Sequence, residues 1–503
     1  MLPELIEIVP LDKPVKAEIT VPGSKSITNR ALILAALADG ETTLQGALWS
    51  EDTQVMVDCL KKLGFAVTMT ADPAEFCNRT ITVKGLGGKI PNAGTAEKPL
   101  ELFVGNAGTA ARFLSAFVCL GNGVYRLHGV PRMHERPQAA LFKALRELGY
   151  RVDSENGNDK LPARVVGEAP FSGRSRGNET HAKSESQSLL TSAPTNEPRR
   201  SCTVSIAESS QFASALLLCA KTGGWNINIV GENAEESPYV AMTTRMIEAF
   251  PKTGGVFQIE PDASSGSYFL AAGKVAEPPE FMEYSEQFGV EVKTQKLQAV
   301  NVTGWPQSGW QIDQGFVHFL MVGPGYHLFR VLEKEGALLD LERMKEIIEQ
   351  QPEPQPNPVI SRLSDLGDSI MTAIVVTPLL GEEIKFTDLG RLRLQETERV
   401  VALRTELTKC GAKVIEEGDT LTVYPSELHG AEIETYNDHR VAMCFAILGL
   451  KVRGIKIKNP ACVKKTFPNF FQKLAAAPPK GLGATILDAK TGRKLEETEL
   501  FAE

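Results

Sequence analysis

Six stretches of the chain open with small polar residues and then run almost wholly apolar. They are P-G-S-K-S-I-T-N-R-A-L-I-L-A-A at 22–36, N-A-G-T-A-A-R-F-L-S-A-F-V at 106–118 and S-S-Q-F-A-S-A-L-L-L-C-A at 209–220. The other three are D-A-S-S-G-S-Y-F-L-A-A at 262–272, D-L-G-D-S-I-M-T-A-I-V-V at 365–376 and N-D-H-R-V-A-M-C-F-A-I-L at 437–448. Ser, Thr, Asn and Asp at the opening suit a helix N-cap, and the Ala-rich run that follows predicts a helix. A helix without a polar face is buried on every side. After most of them come a Gly-containing turn and a short alternating strand, as in G-E-T-T-L-Q-G-A from 40 or G-I-K-I-K-N-P from 454. An amphipathic helix ending in Leu-Gly and a further strand then follows, as in A-L-F-K-A-L-R-E-L-G-Y-R-V. The fourth unit matches least, because P-P-E-F-M-E-Y-S-E-Q-F-G-V is short and irregular.

Six β-α-β-type units predict an α/β protein of two domains with about three units each. The expected boundaries are 23–260 for the first domain, and 1–22 with 261–475 for the second. If the six helix starts converge between the domains, their unpaired backbone N–H groups make an anion site. Residues 154–200, rich in Ser, Asn, Gly, Pro and charge, are expected to form a mobile surface insertion. Residues from about 313 to 360 carry a Gly-Pro-Gly turn, one further helix and the extended spacer Q-P-E-P-Q-P-N-P. The charged stretch 476–503 is expected as a loosely docked tail.

Composition narrows the class. The 503 residues are 42% hydrophobic and 23% charged, which supports packed cores, and the net charge is -8. That balance, with four Trp and eight Tyr, supplies no basic and aromatic platform for nucleic acid. Eight Cys never form a C-x-x-C pair, so reduced, buried thiols in a cytoplasmic protein are expected, without a metal site. No run of about 18 apolar residues predicts a membrane span. The start M-L-P-E-L-I-E-I-V-P carries acidic residues and no basic region before an apolar core, so a signal peptide is not expected.

Chemistry-bearing residues gather at the same helix starts. Gly23, Ser24, Lys25, Ser26 and Arg30 suit either a capped helix or an anion cradle. Asn106, Gly108, Thr109 and Arg112 come before Arg132, His134, Glu135 and Arg136, where Arg136 is either an anion ligand or a surface cation. Ser209, Ser210 and Gln211, with Tyr239 downstream, are an ordinary N-cap or the lining of a polyol site. Asp365 and Asp368 precede Arg391, Arg393, Gln395, Glu396, Arg399, Arg440 and Lys465. Carboxylates among cations are held ionised, or poised for proton transfer if desolvated. His439 is left between a base, a ligand and local hydrogen bonding.

In order along the chain, P-G-S-K-S-I-T-N-R, G-N-A-G-T-A, H-E-R-P, S-S-Q-F, D-A-S-S, G-D-S-I-M-T, Q-E-T-E-R, N-D-H-R and K-T-F-P resemble the motifs of the EPSP synthases, of the enolpyruvyl transferase family. The resemblance covers residues about 8–475 apart from the insertions. It implies a two-domain inside-out α/β barrel of six β-α-β-α-β-β units, closing over a cleft. It also implies transfer of the enolpyruvyl group of phosphoenolpyruvate to the 5-hydroxyl of shikimate 3-phosphate by a monomeric enzyme, with no cofactor. By the same resemblance Lys25, Ser26, Arg30, Ser209, Ser210, Gln211, Tyr239, Asp368 and Gln395 contact shikimate 3-phosphate. Lys25, Asn106, Gly108, Thr109, Arg136, Gln211, Glu396, Arg399, Arg440 and Lys465 hold phosphoenolpyruvate. Asp368, Glu396 and Lys25 are the implied catalytic groups.

Four departures stand out. Gln395 replaces the Lys usual before E-T-D/E-R, Arg391 stands where Asn is frequent, and Phe113 replaces a common Pro. A phosphate contact weakened at Gln395 is expected to be made good by Arg391 or Arg393. Glu236 replaces a frequent Ser. The related transferases acting on UDP-N-acetylglucosamine open with a G-x-K-N-type motif and use a loop Cys, whereas G-S-K-S and G-V-P-R-M-H-E-R here carry neither. A silent anion-binding homologue is disfavoured, because binding alone needs no Asp368 and Glu396 together.

Overall fold

A computed structural model describes residues 2–168, 200–231, 237–276, 300–322 and 358–502, with a few short pieces between 283 and 347. Each of the six apolar runs is a helix: Lys25–Leu37, Gly108–Phe117, Gln211–Gly223, Ala263–Ala276, Ile370–Val376 and His439–Gly449. Their burial follows from their composition. Every residue of Gly108–Phe117 is buried, as is every residue from Ile27 to Ala36.

A pair of parallel strands accompanies each helix. Leu100–Phe103 pairs with Gly123–His128, Arg200–Ser205 with Trp225–Val230, and Val359–Ser361 with Ile384–Thr387. Glu432–Ile433 pairs with Ile455–Lys458 around the last helix. The remaining two pairs are exchanged: Ala17–Ile19 runs beside Val300–Val302, and Gly255–Gln258 beside Glu41–Leu48. The chain therefore crosses twice between two apolar cores. One core holds residues from Ile27 to Ile259, the other Leu2–Val21 with Tyr268–Ala502.

The two crossing segments lie side by side. The Ser24 N–H donates to the Glu260 carbonyl and the Asp262 N–H to the Pro22 carbonyl, both at 2.8 Å. Gly23 is required at this crossing, since a Cβ there would lie 2.0 Å from the Gly46 carbonyl oxygen. Buried Glu75 ties the halves nearby, bonded to Lys473 at 2.7 Å and to Asn469 at 2.8 Å. All eight cysteines are buried and none forms a disulfide.

Three expectations need correction. Residues 163–167, placed within the polar insertion, form the strand Ala163–Gly167, which lies between Gly123–His128 and Arg151–Ser154. Its alternating Ala163 and Val165 are buried, which outweighs the polar composition around it; residues 169–199 lie outside the described residues. The segment expected to interrupt the chain from 313 begins as the turn Ile312–Gly315 and the helix Phe316–Val322, packed on the second core. Its predicted later helix and Pro-rich spacer fall almost wholly outside the described residues. The tail is not loosely docked either. Ile486–Asp488 pairs with Leu5–Ile8, and Leu482, Ile486, Leu495 and Leu500 are buried.

Truncation after Gly483 is accordingly expected to lower the melting temperature of the second half. Burial of Ile486, Leu495 and Leu500 is worth about 1.5–3 kcal/mol for each side chain. Thermal denaturation of the truncated chain measures this, and unchanged melting would speak for a passive tail.

Candidate active site

The first residues of all six helices meet in one cleft. Its lining takes Ser24, Lys25 and Ser26 from the first helix, Thr109 and Arg112 from the second, and Ser209, Ser210 and Gln211 from the third. Ser264 with Asp262, then Asp368, then His439 with Arg440 come from the later three. Four N-caps, Ser24, Ala107, Ser210 and Ser369, make no side-chain capping bond, which leaves first-turn N–H groups for a ligand. Seven cationic side chains face five carboxylates in the lining, a local positive excess in a chain of net charge -8. Such a site favours anions whatever the overall charge.

On the wall from the first half, Arg112 donates to Gln211 Oε1 (2.7 Å) and to the Pro137 carbonyl (3.3 Å). Gln211 passes the connection to Thr109 Oγ1 at 3.1 Å. Arg136 donates to the Asn106 carbonyl at 3.1 Å. Both arginines are buried with Nε unpartnered among the described residues. Burial, with the charge of Arg136 adding to it, lowers Arg112 to about 9. Buried donors of this kind carry a standing cost that an anionic ligand removes. Lys25 Nζ lies 3.1 Å from Asp52, a buried partner that no sequence pattern marks.

On the facing wall Asp368 is clamped by Arg362 (2.6 Å) and Arg440 (3.3 Å). Burial opposes its charge, but Arg440, Arg362 and Arg399 outweigh burial and hold it below the usual carboxylate range. Buried Asp313 goes the other way: burial, then the charge of Asp368, push it up to about 6. It accepts from the Ser264 hydroxyl and, at 2.7 Å, from the Ser369 N–H, so it braces the residue after Asp368. Glu396 lies 2.9 Å from Lys465 and 2.8 Å from Arg399. Here too burial opposes the charge, and Lys465, Arg399 and Arg136 hold it well below the ordinary range. Arg399 also forks onto buried Asp438 at 2.7 and 3.2 Å and donates to Gln395 Oε1. Tyr239 is kept a neutral phenol by burial and by the charge of Asp368.

Of the seventeen residues that the resemblance assigns to the substrates, thirteen line the cleft: Lys25, Ser26, Thr109, Arg136, Ser209, Ser210, Gln211, Tyr239, Asp368, Gln395, Glu396, Arg399 and Arg440. Lys465 stands behind Glu396, and Asn106 and Gly108 stand behind Arg136. Arg30 does not reach the cleft. It is buried beneath the floor, donating to Thr243 Oγ1 (2.7 Å), the Ser26 carbonyl (2.9 Å) and Ser214 Oγ (3.0 Å), with its guanidinium over the Phe113 ring. Phe113 is thus a packing partner for a buried cation.

Other expectations change as well. Arg393 is spent on Glu398, Glu416 and Asp419, so it cannot make good the charge missing at Gln395. Arg391 lines the cleft. Asp365 accepts from the Ser361 N–H at 2.7 Å, holding the turn before Asp368. His439 makes no local hydrogen bond: both ring nitrogens are buried without a partner among the described residues, and burial keeps the ring neutral. Glu236 lies outside the described residues. Sequence reasoning misses Asp313 and Arg362: Asp313 meets Ser264 and Ser369, 49 and 56 residues away, and Arg362 precedes Asp368 by six residues in a turn that no motif marks.

Comparison with known proteins places this geometry. The family model for EPSP synthase (3-phosphoshikimate 1-carboxyvinyltransferase) matches residues 10–280 and 321–474. The 3-phosphoshikimate 1-carboxyvinyltransferase of Trichormus variabilis is 34% identical over 490 residues, covering 93% of this chain and 98% of its own. That of Opitutus terrae is 35% identical over 495 residues, with 96% and 99% covered. Among solved structures, an EPSP synthase from Acinetobacter baumannii aligns with a TM-score of 0.61 at 17% identity, over 96% of this chain and 99% of that one. The enolpyruvyl transferase NikO from Streptomyces tendae aligns at 0.55 and 14% identity, over 98% of each. At such identities the two structures speak for the mixed helix and strand fold alone.

Proposed function

The chain belongs to the EPSP synthase family, and on that premise we propose how its cleft carries the family's reaction. The protein transfers the enolpyruvyl group of phosphoenolpyruvate to the 5-hydroxyl of shikimate 3-phosphate, releasing phosphate, on the route to chorismate and aromatic amino acids. In our reading Lys25, Ser26, Ser209, Ser210, Gln211, Tyr239, Asp368 and Gln395 hold the acceptor. Arg30 orders this site from beneath, through the Ser26 and Tyr239 carbonyls. Thr109, Arg136, Gln211, Glu396, Arg399 and Arg440 hold phosphoenolpyruvate with Lys25, while Asn106, Gly108 and Lys465 set the positions of Arg136 and Glu396.

The observation that carries this reading is the pair of carboxylates, Asp368 and Glu396, each gripped by cations, of which Arg362, Arg399 and Arg440 line the ligand space. A carboxylate so held is a weak base. Anionic substrates compete for those same cations, so their arrival raises the proton affinity of both groups. Asp368 then accepts the proton of the 5-hydroxyl as the oxygen adds to C2. Glu396, protonated from solvent once phosphoenolpyruvate has engaged its cations, then delivers that proton to C3, with Lys25 across the cleft, and C3 becomes a methyl group. The tetrahedral phosphate ketal collapses when C3 returns its proton to Glu396 and the phosphate leaves with the proton that Asp368 had taken from the hydroxyl. Orientation and charge neutralisation by the arginines supply most of the acceleration, and closure of the halves keeps water from the intermediate.

The finer architecture belongs to the same proposal. We take the fold as an inside-out α/β barrel of six β-α-β-α-β-β units, with domains 23–260 and 1–22 plus 261–475. The six parallel strand pairs and the two apolar cores support it. The protein is taken to act as a cytoplasmic monomer on small anions, without nucleic acid; no helix among the described residues is long and apolar enough to cross a membrane.

Gly108 gives a direct test of the phosphoenolpyruvate assignment. A Cβ at this position would lie 2.7 Å from Arg136 Nη2, so Gly108→Ala must displace the guanidinium. Losing one charge-assisted contact of about 1.5–3 kcal/mol is expected to raise KM for phosphoenolpyruvate about 10- to 100-fold. Steady-state kinetics decide it. A raised KM for the acceptor with phosphoenolpyruvate unaffected would put Arg136 in the other site.

A further inference from the structure

We propose that Arg391, together with Arg362 of the same cleft, grips the phosphate ester of the acceptor and supplies the charge that Gln395 lacks. This rests on the reaction assigned above and names the residues of one end of its acceptor site. Gln395 is neutral, and its side-chain oxygen is already used by Arg399. Arg393 is held by three carboxylates.

Arg391 is in a different state. It lines the cleft half-buried, and its one hydrogen bond among the described residues runs across to the other half, to the Ile206 carbonyl at 2.8 Å. Ile206 leads into Ser209 and Ser210, whose side chains line the same wall. No carboxylate among the described residues pairs with Arg391. Burial first, and then the charge of Arg362, disfavour its charged form, so the two guanidinium groups feel one another.

Arg362 completes the case. Its side chain is 4% exposed and, among the described residues, its one ion pair is with Asp368 and its buried Nε has no partner. Asp368 is itself shared with Arg440. Two cations lining one cleft therefore have one carboxylate between them, which a third cation also claims. Leaving such donors unmatched is costly, and a phosphate dianion, which arginine binds through paired N–H groups, satisfies them. Hydroxyls of Ser209 and Ser210 would complete its coordination from the opposite half. Binding there draws Arg362 from Asp368, so the acceptor's phosphate also readies the base.

The test is steady-state kinetics with both substrates for wild type, Arg391→Gln, Arg393→Gln and the double variant Arg391→Gln/Gln395→Lys. Arg391→Gln is expected to raise KM for shikimate 3-phosphate about 10- to 100-fold. KM for phosphoenolpyruvate should stay within about twofold, the scatter of contacts not made. Arg393→Gln should behave as wild type, and Gln395→Lys should restore most of the loss. Affinity for shikimate, which lacks the phosphate, should be equal in wild type and Arg391→Gln. An unchanged KM for shikimate 3-phosphate in Arg391→Gln, or a loss that falls on phosphoenolpyruvate, overturns the assignment alone. Wild type that never consumes shikimate 3-phosphate overturns the reaction and this assignment together.

Discussion

Asp368→Asn is expected to lower kcat by about 10²–10⁴-fold, the usual worth of a positioned general base. The affinities should move the other way. Asp368 is the negative charge between Arg362 and Arg440, at 2.6 and 3.3 Å. Asparagine keeps the shape and removes that charge, which leaves both arginines freer to bind anions. KM for both substrates should therefore hold or fall while kcat collapses. This split separates a proton-transfer role from a structural one, since a misshapen cleft would lose affinity as well. A raised KM at unchanged kcat would show that Asp368 only positions its arginines.

Glu396→Gln is expected to cost about 10²-fold or more in kcat. Glu396 bridges Lys465 and Arg399, and burial without those cations would neutralise it. Glutamine can still accept a hydrogen bond from Lys465, but it cannot carry a proton to or from C3. Exchange of solvent deuterium into the methylene of unreacted phosphoenolpyruvate follows that step directly, because C3 gains a proton on addition and returns one on collapse. The exchange should fall in parallel with turnover. Exchange at the wild-type rate with slow turnover would move the proton transfer at C3 to another group.

The periodic parts of this structure are plain in the sequence, and the parts that depend on distant contacts are not. An Ala-rich run behind small polar residues leaves a helix no alternative to burial, so Lys25–Leu37 and its five counterparts are legible from pattern alone. The strand Ala163–Gly167 is hidden because two buried apolar positions are a weak signal inside a polar stretch. Leu495 and Leu500 are similarly masked by charged neighbours in the C-terminal segment. Arg30 looks like a ligand for an anion next to Ser26. Its actual partners, Thr243 and Ser214, lie 213 and 184 residues away. Asp313 shows the opposite error: it stands in an unremarkable local sequence and acquires meaning only when Ser369, 56 residues on, is folded against it. Arg362 meets Asp368 within six residues, but in a turn that carries no motif.

The reaction itself is tested most directly by inorganic phosphate release from phosphoenolpyruvate, with shikimate 3-phosphate and, separately, with UDP-N-acetylglucosamine as acceptor. Release that requires shikimate 3-phosphate and is absent with the nucleotide sugar is the expected result. Release with the nucleotide sugar, or silence with both acceptors from folded protein, would contradict the assignment of this cleft to enolpyruvyl transfer onto shikimate 3-phosphate.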